Sequence, residues 1–238
     1  MIDSSYPKSL TAMPEAAGRY FALMVAAVAL LLGILLFAPA EVNGALNPVY
    51  VEGGFVESLT PIGYVFCIVL IFAQGGLAFI WRRALGIVIV LLAMTLRELD
   101  FHTRFTPMSV EKLKFYTSPL VPLHEKVIAL LIVGFVVVTA ISLLVRYGRA
   151  FLEGLRRFDP VSVATTVAVL DIGFSKSIDG IGNRLAGIGY TLGQNASLHF
   201  EAVEETSEFG IALFAIIAVL AYFGSARSTG RTDEARNL

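Results

Sequence analysis

The sequence has little charge and few of the motifs that mark soluble enzymes. Only 16% of its 238 residues are charged and its formal net charge is −1, so it lacks the positive field with which proteins attract nucleic acid. Cys67 is the single cysteine, which excludes an internal disulfide and leaves the redox compartment undefined. Glycine-rich phosphate loops, Cys-x-x-Cys pairs and zinc-protease motifs are also missing from the sequence. No known motif therefore assigns a reaction.

Apolar residues are what the sequence has in excess. They make up 56% of the chain, and the mean hydropathy is +0.76, which is typical of a polytopic membrane protein rather than a soluble domain. A helix needs about 20 apolar residues to cross roughly 30 Å of hydrocarbon. The third apolar run, Ala84 to Leu96, is shorter than this and reaches the length only if its helix continues to Arg104. We therefore predict an all-α membrane bundle with about six spans, at 19–39, 60–81, 84–104, 126–145, 160–178 and 205–224.

The predicted spans define a single transmembrane domain, 19–224, between a polar N-terminal segment, 1–18, and a disordered tail, 225–238. Lys and Arg are enriched in cytoplasmic loops of membrane proteins. With the N-terminus and the C-terminus in the cytoplasm, 11 of the 18 basic residues lie on the cytoplasmic side. The small size, the short loops and the lack of targeting features favour a bacterial inner membrane. Ala38-Pro-Ala40 resembles a signal-cleavage site, so cleavage of the first apolar segment is left open.

Ionisable residues from separate segments are predicted to meet at the outer face of the membrane. Counting 1.5 Å per helical residue from Arg83 and back from Gly224 brings the ends of several spans to one depth. The stretch Leu198 to Phe209, which carries His199 and four glutamates, leads into the last span. Charged groups at the edge of a membrane helix are expensive, so they normally have partners or a function. The residues at this depth are Glu57, Glu98, Asp100, His102, His124, Glu204 and Glu205.

Histidine and carboxylate side chains at helical spacing favour a metal site. Glu98 and His102 are four residues apart, which puts them on one helical face, and helical bundles build metal centres from such pairs. Imidazole with carboxylate suits zinc, iron or manganese. A metal-bound water and a carboxylate base would make the protein a metal-dependent hydrolase of a lipid or other amphiphilic substrate. The predicted bases are Asp100 and Glu205, and the predicted metal ligands are Glu98, His102, His124, His199, Glu201 and Glu204.

Simpler interpretations compete with the metal site. The glutamates from 201 to 205 could be a solvated first helical turn, where acids are favoured, and Glu98 could pair with Arg97. Asp171, in the middle of the fifth span, could make a polar contact between helices or lie on an ion path. Gly75 and Gly76 are expected to allow close helix packing.

Other classes of function also remain open. The sequence is compatible with an ion or small-solute carrier, with a haem or quinone subunit, and with a non-catalytic accessory protein. The lipid bilayer is the one partner that it predicts, and whether the protein is an enzyme is undecided.

Overall fold

The protein is helical, with one short β-hairpin before the second long helix. The computed structural model describes residues 9–43, 45–50, 54–104, 106, 108–110 and 112–228, and only the backbone of residues 9–16, 46, 102, 104 and 226–228. Strands β1 (Glu41–Val42) and β2 (Ala45–Leu46) pair antiparallel. The helices are α1 (Ser9–Phe37), α2 (Phe55–Phe79), α3 (Leu85–Glu98), α4 (Phe101–Arg104), α5 (Leu113–Thr117), α6 (Leu123–Arg156), α7 (Pro160–Ile178), α8 (Ile181–Gly187) and α9 (Gln194–Ser228).

Five helical segments of the described chain are long and apolar enough to cross a membrane. This confirms the prediction of an all-helical membrane protein. The second segment contains both α2 and α3, which the sequence predicted as two separate spans. The five segments are Ala17–Phe37, Phe55–Glu98, Leu123–Arg156, Pro160–Ile178 and Gln194–Ser225.

The helix ends differ from the predicted ones where a local feature overrides hydropathy. α3 ends at Glu98 and does not continue to Arg104, because Asp100 has a left-handed backbone (φ 49°) that an α-helix cannot contain. α6 runs from Leu123 to Arg156, so it extends beyond both ends of the predicted span 126–145. α9 runs on to Ser228, so residues 225–228 of the predicted disordered tail are helical, and the rest of the tail, 229–238, lies outside the described residues. α7 has the predicted bounds, and its start is fixed by the side chain of Asp159, which accepts a hydrogen bond from the amide of Ser162.

Gly76 breaks the long segment between Phe55 and Glu98. Its backbone angles are φ 74° and ψ 175°, a region that is essentially open to glycine alone. A π-helical turn, Ile80–Ala84, follows before α3 begins. α2 and α3 then pack against each other. Gly76 therefore contributes a change of direction, not the close helix packing that the sequence predicted for the Gly75–Gly76 pair.

α9 is the central helix of the bundle and α6 is the most peripheral of the long helices. α9 packs against α7, α2 and α1, whereas α6 packs mainly on α3 and α7. Small residues let the backbones approach: a methyl group on Gly63 of α2 would meet Ala212 of α9. The apolar core between these helices includes the fully buried Tyr64, Cys67 and Ala164. The face of α6 that does not pack on helices of the chain is left apolar and exposed.

Candidate functional site

The middle of α9 carries a buried ion pair that joins three helices. Arg97 of α3 donates from Nη1 to Oε1 of Glu98 at 2.8 Å and from Nη2 to Oε1 of Glu208 at 3.1 Å. Ser175 of α7 donates to the same Glu208 oxygen at 3.1 Å. The side chains of Glu98 and Glu208 are only 5% and 8% exposed. We call Arg97, Glu98, Ser175, Glu205 and Glu208 the carboxyl cluster.

Glu205 adds a third carboxyl group to this cluster. It lies one helical turn before Glu208 on the same face of α9. Its neighbours in electrostatic interaction are Glu57, Glu98, Glu204 and Glu208. Its Oε2 atom is buried and has no hydrogen-bond partner among the described residues. Arg97 therefore faces more carboxyl groups than one guanidinium can neutralise.

Tyr64 of α2 places a further buried polar group beside the cluster. The residue is fully buried, and its hydroxyl has no hydrogen-bond partner in the described part of the chain. It interacts electrostatically with Glu98, Glu208 and Arg97. A buried hydroxyl without a hydrogen-bond partner lowers the stability of the fold by about 1–3 kcal/mol. Such a cost suggests that the Tyr64 hydroxyl has a function in the site.

The geometry of α7 against α9 explains why the cluster forms at this height. The two helices run antiparallel, with Asp179 near Glu204 and Ser175 opposite Glu208. Asp171, one turn earlier on α7, lies opposite Ser207. Ser207 donates to Asp171 Oδ1 at 3.1 Å, and Gly210 leaves room for the other carboxylate oxygen. Asp171 therefore makes the polar contact between helices that was one of its two predicted roles.

An exposed ion pair lies at the rim of the cluster. Lys176 Nζ is 2.9 Å from Asp179 Oδ2, and both side chains are more than 40% exposed. The hydrogen bond from Lys176 lowers the pKa of Asp179 below its usual value of 3.8, and the charge of Lys176 acts in the same direction. Glu204 is half-buried and interacts electrostatically with Asp179, Glu208 and Lys176. The polar groups thus continue from the buried cluster to the surface.

The predicted site residues divide into two groups. The structure brings Glu98, Glu204 and Glu205 together, with Glu57 as a neighbour of Glu205. The interpretation of 201–205 as a first helical turn is wrong, because α9 already begins at Gln194. The predicted pairing of Glu98 with Arg97 is confirmed.

The other predicted residues lie apart from the cluster. Glu201 is exposed and accepts a hydrogen bond from Ser197. The half-buried Asp100 makes no side-chain hydrogen bond or ion pair with any described residue. His124 is exposed in the first turn of α6, and His199 is exposed with its Nδ1 2.6 Å from the carbonyl oxygen of Asn195. The side chain of His102 lies outside the described residues.

No group of three or more His, Cys, Asp or Glu residues in the described chain has the arrangement of a metal site. Binding of zinc, iron or manganese therefore stays a prediction, and the exposed positions of His124 and His199 do not support it. A metal centre of histidines and carboxylates needs imidazole nitrogen and carboxylate oxygen within about 2 Å of one ion. The buried cluster instead offers carboxyl, guanidinium and hydroxyl groups.

Sequence reasoning did not identify Tyr64 and Ser175 as members of this site. It also did not identify Glu208 as the residue that accepts hydrogen bonds from both Arg97 and Ser175. Tyr64 had a usable signal, since it lies seven residues after Glu57 and so on the same face of α2. Ser175 lies four residues after Asp171, which puts both on the face of α7 that contacts α9. Spacing alone could not show that Glu208, rather than Glu204, turns towards Arg97.

Comparisons with known proteins add no relative to this description. No protein-family model, no curated protein and no solved structure matches the chain. The fold and the carboxyl cluster define an integral membrane protein with a buried charged site, and any function has to be argued from that site.

Proposed function

We propose that this membrane protein is a proton carrier, with the carboxyl cluster as its proton-binding site. The observation that carries the proposal is the charge balance of the cluster: Glu98, Glu205 and Glu208 are brought together around the guanidinium of Arg97. Lys176 also interacts with Glu98, but it is paired with Asp179 at the rim. Carboxylates that share a low-dielectric site cannot all be ionised without a compensating cation. A bound proton supplies that charge and needs no histidine.

The surrounding polar groups provide a path for the proton from the surface and a buried binding position. Glu204, Lys176 and Asp179 lead from the surface to Glu205 and Glu208. The unpartnered hydroxyl of Tyr64 and the unpartnered Oε2 of Glu205 are available as donor and acceptor at the buried end. Asp171 lies beside Ser207, one helical turn from Ser175, and would be a second proton-binding residue. Chains of acidic side chains of this kind mark proton paths in membrane proteins.

The proposal includes six membrane crossings with both termini in the cytoplasm. The break at Gly76 and the π-helical turn up to Ala84 would be the cytoplasmic turn between the second and third crossings. α2 and α3 would then be the two arms of a helical hairpin, consistent with their mutual packing. The carboxyl cluster would lie near the outer face, and Arg82 and Arg83 would lie at the cytoplasmic face. A bacterial inner membrane remains the expected location.

The test is proton flux into liposomes that contain the purified protein and a trapped pH-sensitive dye. An imposed membrane potential should drive proton entry several-fold above that of protein-free liposomes. Glu208→Gln, which keeps the size of the side chain and removes its charge, should abolish the increase. Glu201→Gln is the matched control, because Glu201 lies on the same helix but is exposed and outside the cluster.

Each outcome of the flux measurement decides one part of the proposal. Wild-type flux equal to that of empty liposomes, with or without a sodium gradient, would overturn the carrier. Flux that persists in Glu208→Gln would overturn the cluster as its site. Because the glutamine of Glu208→Gln still offers an amide oxygen to Arg97 and Ser175, this variant should fold. Its unfolding temperature in detergent, compared with that of the wild type, shows whether a loss of flux comes from misfolding.

A further inference from the structure

Two pairs of arginines from distant parts of the chain lie at the N-terminal end of α3, the end remote from the carboxyl cluster. They are Arg82 with Arg83, and Arg146 with Arg149. Arg146 of α6 donates from Nη2 to the carbonyl oxygen of Arg82 at 3.3 Å, and the hydroxyl of Tyr147 donates to the carbonyl oxygen of Arg83 at 2.8 Å. α3 separates this end from Glu98 by about 20 Å at 1.5 Å per residue. Close packing of Gly86 against Leu143 holds α3 and α6 together next to these contacts.

These contacts concentrate positive charge on one exposed surface. Arg149 lies one turn after Arg146 and so on the same side of α6. All four arginines are exposed, and none of them forms an ion pair within the described residues. We call Arg82, Arg83, Arg146 and Arg149 the arginine patch. Like charges on one surface repel one another, so an anion bound among them would stabilise the arrangement.

The surface next to the patch is apolar. Leu144 and Val145, in the turn of α6 before Arg146, are 70% and 80% exposed. Trp81, beside Arg82, is 65% exposed, and tryptophan in such a position is typical of the boundary between headgroups and acyl chains. A ligand that fits both surfaces carries a negative headgroup and hydrocarbon chains.

We propose that the arginine patch binds an anionic glycerophospholipid, with the phosphate among the guanidinium groups and an acyl chain along the exposed face of α6. Guanidinium groups form paired hydrogen bonds with phosphate oxygens. Basic pockets between helices at a membrane surface hold anionic headgroups in the same way. A free phosphate ion would use the arginines but would leave Leu144, Val145 and Trp81 uncovered.

Trp81 is the only tryptophan of the chain, so its fluorescence reports on lipid at the patch. The experiment compares quenching by brominated phosphatidylglycerol with quenching by brominated phosphatidylcholine, at equal mole fractions in proteoliposomes. The anionic lipid should quench more strongly in the wild type. Since each basic residue near an anionic surface contributes about fivefold in binding, Arg146→Gln/Arg149→Gln should remove most of this preference.

Arg156→Gln/Arg157→Gln is the matched control, since it removes the same charge further along the chain and should keep the preference. Quenching by the brominated phosphatidylcholine should stay the same in all variants that fold. Arg149→Gln alone, at a residue without a hydrogen bond to the Arg82–Arg83 turn, should lower the preference even if Arg146→Gln disturbs packing. Equal quenching by both lipids in the wild type would overturn the proposal, and so would a preference that inorganic phosphate removes, because the patch would then bind the ion itself.

Discussion

At the scale of single residues, Tyr50 shows how one buried hydroxyl ties a loop to two helices. It is 1% exposed, and its hydroxyl oxygen is 2.8 Å from the carbonyl oxygen of Ala38 and 3.0 Å from that of Ile34. Ile34 lies in the last turn of α1, and its carbonyl oxygen also accepts a hydrogen bond from the amide of Ala38. Ala38 directly follows α1, where carbonyl groups lack partners within the helix. The same hydroxyl interacts with Thr206 of α9.

Tyr50→Phe should lower the free energy of unfolding by about 1–2 kcal/mol, because the carbonyl oxygen of Ala38 loses the hydroxyl that donates to it at 2.8 Å. Burial raises the pKa of Tyr50 above its usual value of 10.0, and the hydrogen bond with Thr206 offsets part of this. A raised folded-state pKa means that the stabilisation is complete below pH 10.0 and is lost as the pH rises through the folded-state value. Thermal unfolding in detergent at neutral and alkaline pH measures both effects.

Tyr190→Phe is the control for Tyr50→Phe, since Tyr190 is 72% exposed. It should leave the unfolding temperature unchanged at neutral pH. Between pH 9 and 12 (roughly one unit below to two units above the usual tyrosine pKa), the stability difference between wild type and Tyr50→Phe should shrink. A difference that stays constant over this range would show that the Tyr50 hydroxyl does not act as a protonated donor.

Single residues also show what could and could not be read from the sequence. Glu98, Glu204 and Glu205 were placed at one depth by counting residues along apolar helices, and they do lie near one another. Depth does not fix the direction in which a side chain points around its helix. His124 and His199 are exposed for that reason, although the depth argument had included His124 in a site with the carboxylates.

At the scale of elements, Gly76 decides whether α2 and α3 form one helix or two. Gly76→Ala should destabilise the protein by about 1–3 kcal/mol, because alanine is strained at φ 74° and ψ 175°. The space around the missing Cβ is open, so the effect comes from the backbone and not from a clash. The measurement is the unfolding temperature of each variant in detergent.

Gly173→Ala is the matched control for Gly76→Ala. Gly173 also has open space around its missing Cβ, but it has no positive φ and lies inside α7. Alanine there should be neutral or should stabilise by about 0.5–1 kcal/mol, because it lowers the entropy of the unfolded chain. If both variants change the unfolding temperature equally, the left-handed break at Gly76 is not a requirement of the fold.

Hydropathy located every long helix but not the break between α2 and α3. The predicted gap fell at 82–83, where the two arginines interrupt the apolar run. The chain instead leaves helical geometry at Gly76, inside the predicted second span. Apolar composition indicates where a helix can lie in a membrane, whereas the end of the helix depends on backbone angles that glycine permits and hydropathy does not record.

At the scale of the whole molecule, the two proposed sites lie at opposite ends of α3. The carboxyl cluster contains Glu98, the last residue of α3, and the arginine patch begins at the turn that precedes Leu85. The bundle would then have a fixed orientation, because its acidic groups take up a proton at one membrane face and its arginines hold a lipid at the other. The direction of each helix in the membrane then follows from the number of crossings.

The number of crossings can be tested by labelling single cysteines with a membrane-impermeant maleimide in sealed vesicles. Cys67 is fully buried, so Cys67→Ala supplies the background after a check of its unfolding temperature. Asn43→Cys lies before the segment Phe55–Glu98 and Lys112→Cys lies after it. With six crossings both label from the same side, because the chain crosses and returns between them. If Phe55–Glu98 crosses once, they label from opposite sides.

Phe158→Cys and Tyr190→Cys complete the labelling test. Phe158 is exposed between α6 and α7, and Tyr190 is exposed between α8 and α9. Six crossings predict that Tyr190→Cys labels with Asn43→Cys from outside and that Phe158→Cys labels only after the vesicles are opened or inverted. Because Gly76 turns the chain and α2 packs on α3, we expect this pattern. Labelling of Asn43→Cys and Lys112→Cys from opposite sides would make the long segment a single crossing and would remove the arginine patch from the membrane surface.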